Sequence, residues 1–88
     1  MNDIYSYTIA KEVDDVAFKQ TCKAIEASVL NFVKSNLLED VDGTLIQVYK
    51  TGGKEIKVMN DYEIDAMYVD SDISLDNIPL DYILKYTT

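Results

Sequence analysis

A two-layer α+β domain, mostly antiparallel β-sheet packed by one long amphipathic helix in β-α-β-β-β order, is the fold class this sequence predicts. Apolar residues Phe18, Cys22, Ile25, Val29, Phe32 and Val33 advance by threes and fours, which places them on one helical stripe. A Gly52-Gly53 pair sits between two segments of strand character, the signature of a tight hairpin. At 88 residues and 48% hydrophobic content, the chain supports one modest core and a single domain over residues 1–88.

The elements follow in order. Residues 3–10 alternate Tyr5, Tyr7 and Ile9 with Ser6, Thr8 and Ala10, as a pleated strand requires. Asp14 or Asp15 then caps the helix by accepting hydrogen bonds from its first-turn amides. Lys19, Lys23, Glu26 and Lys34 take its wet side, and Asn36 ends it, with Leu37 and Leu38 tucking the chain beneath. Strands over 44–50 and 54–60 flank the glycine turn, so that Lys50 faces Glu55 and Tyr49 faces Ile56. The Asn60-Asp61 corner leads into a strand over 62–69. There Tyr62, Ile64, Ala66 and Tyr68 point one way and Glu63, Asp65, Met67 and Val69 the other. Asp76-Asn77-Ile78-Pro79 reads as a cap with proline in the first turn of a short C-terminal helix docked by Leu80, Ile83 and Leu84. The expected core sets Phe18, Ile25, Val29 and Phe32 against Tyr49, Ile56, Val58, Ile64 and Tyr68. The central hairpin also carries Ile46, Val48 and Met59 on its second face. The terminal helix, a second subunit in a homodimer, or a target protein is needed to cover that face.

Composition excludes whole classes of chemistry. Sixteen acidic residues stand against eight basic ones, giving a formal charge of −8 and no histidine. Every basic residue is lysine. Nucleic-acid binding through a basic face does not fit, and histidine triads, histidine metal sites and arginine phosphate clamps have no residues to build them. Cys22 is the sole cysteine, placed on the helix stripe as a small buried apolar residue with no histidine to activate it. No apolar run approaches the ~18 residues of a membrane span, and the start lacks the basic and apolar regions of a signal peptide. A cytoplasmic location is therefore expected.

Candidate chemical motifs weaken on inspection. Thr51-Gly52-Gly53-Lys54 lacks the spacing and the following hydroxyl of a phosphate loop. Asp70, Asp72, Ser74, Asp76 and Asp81 fall at calcium-loop positions. However, Leu75 stands where the turn needs glycine, and Asp81 is a short arm in place of glutamate. Glu63 and Asp65 on one strand face could form a carboxylate pair for hydrolysis, but nothing in the sequence builds a pocket around them. No enzyme activity, cofactor or metal is expected.

Charge placement carries the functional reading. Residues 61–81 hold seven acids and no lysine, with Tyr62 and Tyr68 among them and Tyr82 directly after. The expected partner-binding face comprises Asp61, Tyr62, Glu63, Asp65, Tyr68, Asp70, Asp72 and Asp76. Concentrated carboxylates speed association with a basic protein, and tyrosine supplies rigid amphipathic contact area. The expectation is a small acidic inhibitor, in its commonest form a bacterial immunity protein that occludes the nucleic-acid site of a basic nuclease toxin. A phage-type nucleic-acid mimic acting on a defence enzyme and a homo-oligomeric accessory domain are the alternatives.

Overall fold

The computed structural model describes residues 5–29 and 31–75. Its elements are β1 (Tyr5–Ala10), α1 (Asp15–Ser28), β2 (Val33–Lys34), β3 (Leu38–Glu39), β4 (Leu45–Thr51), β5 (Lys54–Asp61) and β6 (Ala66–Ser71). All pairing is antiparallel, in the order β1-β6-β5-β4-β2, with β3 also on the outer edge of β4. The α+β class and the antiparallel sheet stand, but the order is β-α-β-β-β-β-β and not the expected β-α-β-β-β, because the short edge strands β2 and β3 follow the helix. The expected C-terminal helix lies outside the described residues.

The helix has a defined job. β1 and β2 lie at opposite edges of the sheet, four strand spacings or roughly 19 Å apart. A 14-residue helix is roughly 21 Å long, enough to carry the chain across. Asp14 caps it, its carboxylate accepting from the Ala17 amide at 3.0 Å. Ala17, Phe18, Thr21, Cys22 and Ile25 form the buried stripe.

The helix ends at Ser28, eight residues before the expected Asn36. Val29 turns to extended backbone, and Asn31 takes φ 59°, a left-handed conformation that asparagine tolerates and that reverses the chain. Phe32 leaves the stripe but still reaches the core, its ring edge-to-face with Tyr49 at 5.4 Å between centroids. Val33 belongs to β2 and is exposed, as are Leu37 and Leu38, so those leucines do not tuck beneath the helix.

The central hairpin has the expected register, with Lys50 opposite Glu55 and Tyr49 opposite Ile56 across Gly52-Gly53. Both glycines have positive φ, 56° and 79°, as the two-residue turn demands. On the helix side, Tyr49, Ile56, Val58, Met67 and Val69 are fully buried, joined by Ile9 and Leu75. A bulge between Thr8 and Ala10 lets Ile9 and Ala10 both turn inward where strict alternation allows one.

The last strand differs from expectation in both position and phase. Residues 62–65 are a turn, and pairing begins at Asp61–Ala66. Ile64 therefore projects from a loop at 61% exposure, and Tyr68 lies on the sheet face away from the helix. Met67 and Val69 replace them in the core. Glu63 and Asp65, in the same turn, share no strand face.

Ile25→Ala is expected to cost about 2–5 kcal/mol by leaving a cavity under the helix. Ile64→Ala is expected to change stability by less than about 0.5 kcal/mol. Urea unfolding of the two variants checks the assignment, and an Ile64 variant as damaged as the Ile25 variant would contradict it.

Candidate functional site

One end of the sheet collects three loops: residues 11–14 between β1 and α1, 40–44 between β3 and β4, and 62–65 between β5 and β6. Asn60 ties the first of these to the sheet. It is fully buried; its Oδ1 accepts from the Asp14 amide at 2.9 Å, and its Nδ2 donates to Asp15 Oδ1 at 2.8 Å. The third loop is bound to the first by the Val13 amide, which donates to Asp65 Oδ1 at 3.1 Å. It is bound to the second by the Tyr62 amide, which donates to Thr44 Oγ1 at 3.0 Å. Gly43, at φ 94°, lies under the Tyr62 ring, and a Cβ there would sit 3.5 Å from Cε1. The left-handed backbone, and not the packing, calls for glycine at this position, since a Cβ would make only ordinary van der Waals contact with the ring.

The loops and the residues beside them bring nine carboxylates to this pole. Glu12, Asp14 and Asp15 come with the first loop; Glu39, Asp40 and Asp42 with the second; Asp61, Glu63 and Asp65 with the third. Lys11 is the sole lysine among them. The remaining described residues hold four carboxylates and six lysines, so among the described residues the net negative charge lies at one end. Between the carboxylates stand exposed apolar side chains: Val41 at 105%, Val16 at 63%, Ile64 and Tyr62.

Several pole carboxylates also have structural work. Asp61 accepts from the Glu63 amide at 2.9 Å and from the Tyr68 hydroxyl at 3.2 Å. Partial burial, then the adjacent Asp61 charge, raises the Tyr68 pKa, so the phenol stays a donor. Asp42 accepts from the Thr44 amide at 2.9 Å, which lowers its pKa and keeps it charged. Asp65 holds φ 53°.

The expected partner-binding residues divide between two places. Asp61, Tyr62, Glu63 and Asp65 sit together at the pole. Tyr68 and Asp70 lie along β6 on the open sheet face, and Asp72 lies beyond it at the opposite end. There Asp70 accepts from the Ser6 hydroxyl at 2.7 Å and faces Lys57 across the ladder, and Asp72 accepts from the Glu55 amide at 3.0 Å. Asp76 lies outside the described residues. Glu12, Asp14, Asp15, Glu39, Asp40 and Asp42 were not assigned to the binding face by sequence, because a charge window along the chain does not register loops that meet only in the fold. Among the described residues, no cluster of three or more carboxylate or cysteine ligands could hold a metal ion.

No protein-family model, curated protein or solved structure matches the chain.

Asp65→Ala is expected to lose about 1–2 kcal/mol, through the bond to Val13 and the left-handed backbone that alanine resists. Asp65→Asn keeps an acceptor oxygen, tolerates that backbone and is expected to match the wild type. Thermal melts of the two variants check this; equal melting temperatures for Asp65→Ala and wild type would contradict the structural role.

Proposed function

We propose that the domain is a stoichiometric inhibitor that docks its acidic pole into the cationic site of a nucleic-acid-handling protein, with a nuclease toxin as the leading candidate. One observation carries the reading: three loops distant in sequence, with the residues that flank them, present nine carboxylates and four exposed apolar side chains on one end of the molecule. Solubility is served by charge spread over a surface and gives no reason for apolar tips within it. A docking surface needs both. Carboxylates steer a basic partner into contact and exchange their hydration for charge-assisted bonds to ammonium and guanidinium groups. Val41, Ile64, Val16 and Tyr62 then supply the desolvated contacts that slow release. A nuclease site is cationic because its substrate is anionic, so an acidic plug blocks it without chemistry of its own.

The test is affinity capture at low salt, then competition between RNA and this protein for the captured partner. The partner is expected to be basic and to release as salt rises and the Debye length falls from about 10 Å at 0.1 M to about 3 Å at 1 M. RNA is expected to displace the domain. Replacing Asp40 and Glu63 by lysine is expected to slow association by about tenfold or more. Val41→Ser with Ile64→Ser is expected chiefly to speed dissociation. A partner that holds RNA and this protein together without interference contradicts occlusion.

A further inference from the structure

Further along α1 from the acidic pole, the helix and the split edge strand border an open cleft of about 270 Å³. The split opens it. Between β2 and β3, the Ser35 hydroxyl stands in for a ladder carbonyl, accepting from the Val48 amide at 3.2 Å, while the Ser35 amide donates to Val48 O at 2.9 Å. Gln47 Nε2 donates to Ser35 O at 2.7 Å and fixes that bend. Leu37 then swings out to line the cleft opposite Phe18 and Cys22. Burial raises the Cys22 pKa, so its thiol stays neutral and adds to the apolar lining.

Three lysines, Lys19, Lys23 and Lys34, border this apolar lining. Lys34 is paired with Glu26 at 2.9 Å, and Glu26 also accepts from the Tyr49 hydroxyl at 2.6 Å, so the carboxylate in the cleft is already engaged. Lys19 and Lys23 are one helical turn apart on the same face and have no carboxylate within 4.0 Å among the described residues. Lys23 also feels the Glu26 charge at longer range, but three ammonium groups against one carboxylate leave the lining positive in a chain of net charge −8, which suits an anion with an apolar body.

We infer that this cleft binds a small amphipathic carboxylate, its apolar body between Phe18 and Leu37 and its head at Lys19 and Lys23. The site shares no residue with the acidic pole, so failure of one leaves the other standing.

Octanoate and its neutral isostere octanamide are the probes, titrated into the isotopically labelled full chain with amide chemical shifts as the readout. Octanoate is expected to give saturable shifts centred on Phe18, Cys22 and Leu37. Octanamide is expected to bind about fivefold more weakly, the ratio for one ammonium–carboxylate contact at water-like dielectric. The double variant Lys19→Gln, Lys23→Gln, whose side chains are exposed, is expected to keep its melting temperature and to bind the two probes equally. Absence of saturable shifts at these residues, equal binding of both probes to the wild type, or shifts centred on the open sheet face would overturn the proposal.

Discussion

The side chain of Asn60 is the joint on which the architecture depends. A fully buried amide is costly unless its donors and acceptor are satisfied. Here the surrounding groups come from the start of the helix: the Asp14 amide gives, and the Asp15 carboxylate receives. Both bonds require α1 to begin directly over the end of β5. From that point the Asp14 cap launches the helix, and its length delivers the chain to the far edge of the sheet. One residue thus fixes where the helix starts, which stripe it buries and which loops gather around its N-terminus.

That gathering has an electrostatic consequence. Nine like charges at one end repel, and the fold offsets part of the cost with groups it would in any case have to satisfy. Asp14 and Asp15 sit at the helix N-terminus, where the peptide dipoles favour negative charge. Asp40, Asp42, Asp61 and Asp65 accept backbone amides of the loops they belong to or touch. The carboxylates therefore organise the loops while leaving charge facing water. Glu12, Glu39 and Glu63, all exposed, add charge without that service. The proposed docking surface is thereby preorganised: its loops are tied to one another, which would limit the ordering cost of association with a partner.

How far the fold was legible follows from where each signal lay. The Gly52-Gly53 hairpin was readable to the residue, because two positive φ angles leave few other choices and fix the register of both strands. The helix start was legible to within one residue from its aspartate cap, expected at Asp14 or Asp15 and found at Asp14. Its end was not, since the apolar spacing runs on through Val33 and the reversal rests on one asparagine in a left-handed conformation. The last strand misled because both parities of 62–69 carry apolar residues. The turn that decides between them is made by Asp65, also left-handed and not a glycine. Half of the expected binding residues fell at the pole, since 61–65 is a contiguous acidic turn. The other contributors lie about 20 and 50 residues upstream in the chain and become neighbours only through Asn60, Thr44 and Val13.

Native-state hydrogen exchange in wild type and Asn60→Ala measures that joint directly. The account predicts that the wild-type Asp14 amide is protected to a level approaching that of Val58 in the central strand. In the variant, at a temperature where it remains folded, Val13, Asp14 and Tyr62 are expected to lose protection together while Val58 keeps most of its own. A wild-type Asp14 amide that exchanges like an open loop, or an Asn60→Ala variant whose three loop amides stay protected, would contradict the claim that this single side chain assembles the acidic pole.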